Sequence, residues 1–389
     1  MRICILKESL TIGGNERSAA NTTKALSDGH DVTLALYDGS QIEYSYAGQL
    51  ADFKLPPKPS VVGKVINTVR RDVKLRRLIK QKKIDVLYTF TTIGNRQTRY
   101  RYDTAKIISG RDFGKMSVAH ATYKKALDHS DAMICNSQYT KDFYLSKYPE
   151  DRDKVYAVYN YIDVDEIGKQ AKESVEEAYL AFLKRHPCTV LSVGRFCREK
   201  GFEYLIEAIH QARKKNGDIG LVLVGDGECK QTYREAIERL GLQDHVYFTG
   251  FQGNPYKYMA KANLFVLSSL SEGFPNVLAE AMSLGLPVVA TNCRSGPAEI
   301  LRKDRSYKAV ADGFKECDYG ILTPPIDLRD PMAAIEQLSE AMICLAQDER
   351  KRQRFGQMSR IRAVDFSSEA MAAQLDAIFK ELISRRSGK

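Results

Sequence analysis

The chain has 389 residues, of which 43% are hydrophobic and 28% charged, and its formal net charge is +10. This length suits two domains of roughly 150–200 residues, and the composition is that of a globular protein, which excludes the disordered and fibrous classes. No run of about eighteen apolar residues is present, which argues against a membrane-spanning helix, and the scattered cysteines without a C-x-x-C pair argue against a disulfide framework or clustered metal site.

The first half of the chain alternates short apolar runs with helical patterns. The opening MRICILKESL is too short and too charged for a signal peptide, and we predict that it begins with a buried strand. A Gly-Gly loop and a helical pattern follow at residues 13–26. Strands alternating with helices predict a parallel sheet covered on both faces. The strands are predicted at 2–6, 31–36, 85–90, 105–109, 131–137 and 155–163.

Residues 64–83 carry the densest positive charge, with nine basic residues and the single acid Asp72. Apolar residues recur there at helical spacing, which predicts an amphipathic basic helix; they are Val62, Val65, Ile66, Val69 and Val73. The basic face is either simply solvated or lies against an anionic membrane surface. The membrane interpretation assigns four cations to that surface: Arg70, Arg71, Lys74 and Arg77. No interleaving of aromatic and basic residues points to nucleic acid.

The second half contains another alternating set, with strands predicted at 189–194, 219–225, 246–250, 264–269 and 287–291. A charged helical stretch separates the two sets, and the final helical pattern has no strand after it. Two successive sets predict two doubly wound domains, at 1–164 and 165–366. The final segment, 367–389, is expected to be a helix that crosses back to the first domain.

Two cations follow the first strand of the second set. That strand ends at Gly194, and Arg195 and Lys200 lie in the loop before an amphipathic helix. Doubly wound sheets bind ligands at the carboxyl ends of their strands. A guanidinium and an ammonium beside a helix N-terminus suit a diphosphate there. A solvated loop is the competing interpretation.

The segment SEGFPNVLAEAMSLGLPVVAT, residues 271–291, places one carboxylate before a turn and a second inside the following helix. Pro275 suits the first helical turn. Backbone amides around the turn would then face an anion above the strand ends, namely those of Phe274, Asn276 and Val277. Glu280 could hold a vicinal diol, as carboxylates do in dinucleotide sites, and Glu272 could hold a different sugar. One diphosphate between two sugars is a nucleotide-sugar, whereas two unrelated surface acids are the competing interpretation.

Four stretches together resemble the retaining glycosyltransferases of family four, and they are RFCREKG, LVGDGE, VYFTGF and EGFPNVLAEAMSLGLPVVATN. The resemblance covers nearly the whole second half. In the first half, residues 13–26 resemble the family's Gly-Gly loop, and VYNYIDVDEI resembles its interdomain linker. The resemblance implies an α/β chain with the GT-B fold, in which two Rossmann-like parallel-sheet domains face each other across a cleft.

The resemblance also implies roles for individual residues. Arg195 and Lys200 would bind the donor diphosphate and stabilise it as the leaving group, with Glu272 as a third catalytic residue at the donor sugar. Glu280 would hold the ribose. Other donor contacts are expected from Gly13, Gly14, Gly194, Gly250, Phe251, Gly273, Phe274, Pro275, Asn276 and Val277. No metal cofactor is expected, because charge on the departing nucleotide would be stabilised by these groups instead.

Two further patterns are less specific. Asp163 and Asp165 form a D-x-D like the metal motif of the other glycosyltransferase fold, but their position in the linker favours a structural role. On the acceptor side, many relatives carry a histidine where this chain has IISGRDFG. Arg111 and Asp112 are therefore candidates for sugar or acceptor contact. His120, the nearest histidine, is also a candidate, although a fold or surface role suits it better.

These features predict a cytoplasmic glycosyltransferase, peripheral on the inner face of the cell membrane. It would move a hexose or N-acetylhexosamine from a UDP-sugar to a lipid-linked or cell-surface polysaccharide acceptor. The stretch SGPAEI at 295–300 resembles bacterial transferases of that kind. A soluble transferase acting on a small metabolite, a nucleotide-sugar epimerase and a non-catalytic nucleotide-sugar-binding subunit remain alternatives. The intact set of two cations and two glutamates argues against the last of these.

Overall fold

The computed structural model describes residues 1–111, 113–215, 218–307, 310 and 313–387. The chain divides into two compact units, one made of Met1–Tyr161 with Phe366–Lys389 and the other of Ile162–Asp365. Each unit is built on a seven-stranded sheet. The α/β architecture of two doubly wound sheets is therefore confirmed. None of the helices in the described part of the chain is long and apolar enough to cross a membrane.

The first unit has an all-parallel sheet with the strand order β3-β2-β1-β4-β5-β6-β7. Its strands are Arg2–Lys7 (β1), Asp31–Leu36 (β2), Gln49–Asp52 (β3), Val86–Thr89 (β4), Ala105–Gly110 (β5), Ala132–Cys135 (β6) and Val155–Ala157 (β7). Its helices include Gly14–Ser27 (α1), Val61–Lys82 (α2), Thr92–Gln97 (α3), Phe113–Leu127 (α4) and Gln138–Lys147 (α5). A 3-10 segment, Pro149–Lys154, precedes β7.

Successive side chains of β1 enter two different cores, because neighbouring residues of a strand point to opposite faces of the sheet. Ile3 packs in a core shared with Leu26 of α1. Cys4 packs in a core on the other face, shared with Leu75 of α2. A central parallel strand covered on both faces therefore reads as the continuous apolar run seen in the sequence.

The second unit has the strand order β10-β9-β8-β11-β12-β14-β13, in which only the β13–β14 pair is antiparallel among the described ladders. Its strands are Cys188–Val193 (β8), Ile219–Val224 (β9), Val246–Gly250 (β10), Leu264–Leu267 (β11), Val288–Thr291 (β12), Lys315–Glu316 (β13) and Ile321–Thr323 (β14). Its helices are Val164–Gln170 (α6), Glu177–Arg185 (α7), Phe202–Lys215 (α8), Lys230–Arg239 (α9), Tyr256–Met259 (α10), Asn276–Ser283 (α11), Pro297–Leu301 (α12), Met332–Gln347 (α13) and Glu349–Ala363 (α14).

The last helix, Ser368–Ser387 (α15), completes the first unit. Its buried residues Leu375 and Phe379 lie in the same core as Ile3, and the ring of Phe379 meets that of Tyr88 edge-on at 6.4 Å. Near its end, Arg386 forms an ion pair with Asp131 at 3.2 Å. The first sheet is thus covered by helices from both ends of the chain.

The basic segment forms α2, and the first half of this helix has an inverted pattern. Its buried side chains there are polar, with Asn67 3% and Arg71 7% exposed. Five of the exposed side chains of α2 are apolar and recur at helical spacing: Val62 69%, Val65 60%, Ile66 45%, Val69 56% and Val73 51% exposed. The predicted helix is present, but its apolar stripe faces solvent.

The assignment of Arg71 to a membrane-facing surface is wrong. Its guanidinium lies 4.3 Å over the ring of Tyr37, and its Nη2 donates to the carbonyl oxygen of Leu55 at 3.2 Å. Lys74 also reaches the same inner segment, where its Nζ donates to the carbonyl oxygen of Phe53 at 2.5 Å. Arg70 and Arg77 are exposed. Charge alone could not place Arg71, because the carbonyl that it contacts belongs to Leu55, sixteen residues earlier in the chain.

Candidate functional site

The site in the second unit forms where the sheet order reverses. From β8 the chain first adds β9 on one side and later β11 on the other. We call the space above the carboxyl ends of β8 and β11 the crevice. It lies at the switch point of the sheet, which is the usual ligand position in doubly wound sheets. Arg195 and Lys200 follow β8, and Glu272 follows β11.

The structure brings Lys200 and Glu272 together across this crevice. The Lys200 Nζ lies 2.7 Å from Glu272 Oε1, and the two side chains are 25% and 10% exposed. The hydroxyl of Ser269 donates to the same Oε1 at 2.7 Å. Burial opposes the charged form of Lys200, but the Glu272 carboxylate and its hydrogen bond outweigh that effect and raise the lysine pKa. Lys200 is therefore a fixed cation at neutral pH.

Backbone contacts hold the two loops at this distance. The hydroxyl of Ser268 donates to the Lys200 carbonyl at 3.0 Å, and the N–H of Leu270 donates to the Glu199 carbonyl at 2.9 Å. Gly201 has φ +63°, and a Cβ there would lie 2.2 Å from the Ser268 carbonyl oxygen. Only glycine tolerates both the conformation and the close approach, so the short link from Lys200 to α8 depends on it.

The Gly-Phe-Pro turn is clamped by the loop after β12. The hydroxyl of Ser295 donates to the Gly273 carbonyl at 2.8 Å. Gly296 has φ +89°, and a Cβ there would lie 2.4 Å from Pro275 Cδ. The prediction that Pro275 occupies the first helical turn is wrong: its ψ of 88° is not helical, and α11 begins one residue later. The positive end of the α11 backbone dipole follows the turn directly.

Glu280 lies inside α11 and is 4% exposed. It is flanked by the buried Ala279 and Ala281, so the helix carries a carboxylate on its packed side. A second buried acid that the sequence did not single out, Glu299 of α12, is 0% exposed. A carboxylate is a suitable acceptor for a pair of sugar hydroxyls.

The other residues predicted for the donor lie along the same edge of this sheet. Gly194 follows β8, and Gly250 ends β10, where its carbonyl accepts the N–H of Gly225 at 2.9 Å. Phe251 is 54% exposed. Arg195 is 70% exposed on its side chain, and its Nη2 is 4.0 Å from Glu228 Oε1. Arg195 is thus close to the crevice in sequence but does not join the Lys200 ion pair.

In the first unit, Gly13 and Gly14 precede and begin α1, at the carboxyl end of β1. The N–H of Gly13 donates to the hydroxyl of Tyr44 at 3.1 Å. The side-chain amide of Asn15 donates to the carbonyl of Phe90, after β4, at 3.0 Å. The start of α1 is therefore tied to the segment between β2 and β3 on one side and to the end of β4 on the other, and the switch point of this sheet lies between β1 and β4.

Arg111 is held inside the first unit. It is 8% exposed, and Nη2 donates to the hydroxyl of Tyr88 at 2.8 Å. Nη1 donates to the hydroxyl of Ser18 at 2.8 Å and also to Asn160 Oδ1. The guanidinium lies 4.4 Å over the ring of Phe90. These neutral partners fix Arg111 between α1 and the strand ends. The neighbouring candidate, Asp112, is outside the described residues.

His120 and Asp163 have structural partners. The Nδ1 of His120 is 2.9 Å from the Tyr148 hydroxyl, which supports a fold role and does not bring His120 to Arg111. Asp163 caps α6, where its Oδ1 accepts the N–H of Glu166 at 3.1 Å. The described residues contain no group of three or more His, Cys, Asp or Glu placed to hold a metal ion.

Sequence reasoning missed the small polar residues that position the predicted ones. Ser269 and Ser295 hold the Glu272 loop and the Gly-Phe-Pro turn, and Ser18 and Asn160 hold Arg111. The sequence marks Ser269 and Ser295 only by their position, because each follows closely after the end of a buried strand. Serine is common in such loops, so the signal alone does not single them out.

Comparisons with known proteins agree with this geometry. Residues 12–166 match the family model described as Glycosyltransferase Family 4, and residues 182–315 match the one described as Glycosyl transferases group 1. An uncharacterised glycosyltransferase of Methanocaldococcus jannaschii is 34% identical over 256 residues, which are 64% of this chain and 63% of the relative. The N-acetylgalactosamine-N,N'-diacetylbacillosaminyl-diphospho-undecaprenol 4-alpha-N-acetylgalactosaminyltransferase of Campylobacter jejuni is 35% identical over 175 residues, 45% of each chain. The chain spans less than two thirds of the length of these two relatives.

Solved structures share the fold along nearly the whole chain. The sucrose-phosphate synthase of Thermosynechococcus elongatus has a TM-score of 0.75 at 19% identity and covers 99% of both chains. HepE of Anabaena, solved with UDP-glucose, has a TM-score of 0.73 at 19% identity and covers 98% of this chain and 100% of that one. The two domain matches and the likeness of fold confirm the resemblance carried by the sequence motifs. The chain thus carries a Glycosyltransferase Family 4 domain followed by a Glycosyl transferases group 1 domain, and it has the GT-B fold.

Proposed function

We propose that this chain is a retaining glycosyltransferase that moves a hexose or N-acetylhexosamine from a UDP-sugar to a lipid-linked or cell-surface polysaccharide acceptor. The observation that carries the proposal is the Lys200–Glu272 pair at the switch point of the second sheet, 2.7 Å between Nζ and Oε1. A fixed cation beside a carboxylate suits a ligand with a diphosphate next to a sugar. That ligand class is a nucleotide-sugar.

The roles proposed for the donor follow from charge and burial. Lys200 and the exposed Arg195 stabilise the negative charge that grows on the departing diphosphate, which is the largest contribution such a site can make. The N-terminus of α11 faces the same charge. Glu280 accepts the ribose hydroxyls, and Glu272 accepts hydroxyls of the transferred sugar while holding Lys200 in place. Phe251, 54% exposed at the end of β10, offers a surface for the base.

Relatives support the donor and acceptor classes. The Campylobacter jejuni relative is named for transfer of N-acetylgalactosamine to a diphospho-undecaprenol-linked sugar. A Rhizobium meliloti relative, 33% identical over 150 residues, is named as a lipopolysaccharide core biosynthesis glycosyltransferase. HepE was solved with UDP-glucose, a donor of the proposed class. The second unit is proposed as the donor domain and the first as the acceptor domain.

The membrane part of the proposal rests on the exposed stripe of α2. The stripe consists of five exposed apolar side chains between Val62 and Val73, and the same face continues from Val73 at a four- and a three-residue step to Arg77 and Lys80, which are exposed. A helix with an apolar stripe flanked by cations suits the interface of an anionic leaflet. We propose that this stripe places the first unit against the inner face of the cell membrane, where a lipid-linked acceptor resides.

A panel of nucleotide-sugars tests the donor assignment. Thermal unfolding of the wild type is measured with UDP-, GDP- and ADP-sugars, and one UDP-sugar is expected to raise the midpoint. Lys200→Met is expected to lose that protection because the diphosphate loses its cation. Lys351→Met is the matched control, since Lys351 is 24% exposed and pairs with Glu316 at 2.6 Å away from the crevice. Equal protection of Lys200→Met and wild type would contradict the assignment.

Vesicle sedimentation tests the membrane assignment. A variant with Arg70, Arg77 and Lys80 replaced by Gln is expected to bind anionic vesicles about a hundredfold more weakly, since each such cation contributes about 1 kcal/mol near the surface. The control variant removes three exposed cations of the second unit, Lys215, Arg239 and Arg329. Binding that both variants weaken equally would reflect net charge alone and would contradict a role for α2.

A further inference from the structure

Two histidines and an arginine lie together at the amino edge of the second sheet. His186 follows α7 and precedes β8, His245 ends a 3-10 segment that precedes β10, and Arg213 lies in the last turn of α8. Because β8, β9 and β10 are parallel, the starts of these strands share one edge. The crevice lies at the opposite edge of the sheet. We call the three side chains the histidine relay.

Each link of the histidine relay has the length of a hydrogen bond. Arg213 Nη2 lies 3.0 Å from His245 Nε2, and His245 Nδ1 lies 3.1 Å from His186 Nε2. The remaining ring nitrogen, His186 Nδ1, lies 2.9 Å from the carbonyl oxygen of Phe182 in α7. The guanidinium is itself anchored, since its Nη1 donates to the carbonyl of Ile219 at 2.6 Å. The relay therefore runs from α8 through both histidines to α7.

The two ends of the relay determine the position of each ring proton. A guanidinium has donors only, so Arg213 must donate and His245 Nε2 must accept. A neutral imidazole carries one N–H, which in His245 then lies on Nδ1 and is donated to His186 Nε2. His186 in turn carries its proton on Nδ1, where the carbonyl of Phe182 accepts the hydrogen bond. The state in which both histidines are neutral thus satisfies all three links.

An additional proton cannot enter the relay without breaking a link. On either histidine it would set two donors against each other at one of the three links. Burial lowers the pKa of both histidines, of which His186 is 5% exposed, and the cations Arg213 and Arg185 lower it further. Asp218, before β9, and Asp244, in the 3-10 segment, act in the opposite direction. The relay is therefore complete only while both histidines are neutral.

The relay fastens the end of α7, whereas other contacts hold its start. At the start, the Glu176 carboxylate accepts hydrogen bonds from the hydroxyls of Tyr247 and Tyr258, both at 2.8 Å. At the end, the imidazole of His186 fills space that Gly220 of β9 leaves, because a Cβ there would lie 2.7 Å from His186 Cγ. Losing the relay should therefore loosen the last turn of α7 and leave its first turn in place.

We infer that the histidine relay is an acid-sensitive latch, which holds the last turn of α7 against the amino edge of the second sheet and releases it when a histidine takes up a proton. The latched form excludes that proton, whereas a released end of α7 binds it with the ordinary histidine pKa of about 6.5. The latch is therefore closed above that pH and opens progressively below it. It does not rest on the proposed function, because the crevice lies at the opposite edge of the sheet.

The positions of the ring protons test the latch in the wild type. Long-range proton–nitrogen correlation spectra of the full chain, recorded at about pH 7.5, are expected to show His186 and His245 both protonated on Nδ1. The signals are assigned by the loss of one set in His186→Asn and of the other in His245→Asn. A proton on Nε2 of either ring would overturn the inference, because a donor would then face a donor.

Hydrogen exchange in the last turn of α7 tests its release. In the wild type, the opening constant should rise by up to about a hundredfold per pH unit as the pH falls below about 6.5, because opening binds two protons. His245→Asn keeps a side-chain amide that can donate to His186 but cannot titrate, so its rise should be at most about tenfold per pH unit. His210→Asn is the matched control and should keep the wild-type rise, since the imidazole of His210 in α8 makes no hydrogen bond among the described residues.

The amides of α13 separate local release from unfolding of the whole unit. A steep rise confined to the end of α7, reduced in His245→Asn and kept in His210→Asn, supports the latch. An equal rise in α13 would show that the unit unfolds as a whole and would overturn the inference. Exchange at the end of α7 that does not depend on pH after correction for the intrinsic rate would overturn it too, as would a rise that His245→Asn leaves unchanged.

Discussion

Replacing Lys200 by Met should cost the protein both stability and turnover, for separable reasons. The change removes the cation that lies 2.7 Å from the Glu272 carboxylate, which is 10% exposed. The hydrogen bond from the Ser269 hydroxyl to that carboxylate remains. Breaking a fully buried pair costs about 3–5 kcal/mol and an exposed one less than about 1 kcal/mol. With Lys200 itself 25% exposed, we expect a loss of about 2 kcal/mol. That corresponds to a midpoint lowered by roughly 4–8 °C for a unit of this size.

Turnover should fall by about 10²–10³, because Lys200 stabilises charge that develops on the leaving diphosphate. The double variant Lys200→Met/Glu272→Gln separates the two effects. It removes the orphaned charge, so most of the lost stability should return while turnover stays low. Lys351→Met again serves as the control, because Lys351 is 24% exposed and its ion pair with Glu316, at 2.6 Å, lies outside the crevice.

The assay is release of nucleoside diphosphate from the protecting nucleotide-sugar, measured together with thermal unfolding on the same samples. Recovery of turnover in the double variant would refute the reasoning, because it would make Lys200 only a structural partner of Glu272. Near-wild-type turnover in the single variant would also refute the reasoning.

Four further predictions can be checked with the same protein. Arg195→Ala should cut turnover by about 10²–10³ without changing the unfolding midpoint, since that side chain is 70% exposed, and unchanged turnover would remove it from the diphosphate site. Chelation with EDTA should leave turnover largely intact, whereas loss of turnover with rescue by Mn²⁺ would revive the D-x-D at Asp163. Gly296→Ala should destabilise the second unit by about 1–3 kcal/mol in denaturant unfolding, because its φ is +89° and its Cβ would meet Pro275; unchanged stability would show that the turn yields. Burial lowers the pKa of His186 in the folded protein below its ordinary value of 6.5. As the pH drops below 6.5, the unfolding free energy should therefore decrease by at most about 1.4 kcal/mol per pH unit, because the unfolded state binds the proton more readily. His186→Asn should flatten this slope.

The central strands could be predicted from the sequence because both of their faces are buried. β1 and β9 each read as an apolar run, and the structure places their ends within one residue of the predicted ones. The edge strand β3, with the sequence QLAD, was missed because it is half exposed and carries no apolar run. The strands β13 and β14 were missed because two or three residues give no period to detect.

The site was predictable where the sequence carries a local motif and not where the contact is distant. Lys200 and Glu272 were each named from their own loops, but their ion pair depends on β8 lying beside β11, which no local pattern states. Arg71 was misplaced for the same reason. Helical spacing reveals that α2 has two faces, but which face packs inward is decided by the carbonyls of residues 53–56.

The return of α15 to the first unit has a consequence for the order in which the protein can be made. The second unit is one continuous segment, Ile162–Asp365, and can close its core once that segment has left the ribosome. The first unit cannot, because Leu375 and Phe379 fill the same core as Ile3 and are synthesised after the whole second unit. Until then, the face of the first sheet that α1 and α15 cover together has α1 but lacks α15. Apolar surface of the first unit therefore stays exposed until the last helix has been translated.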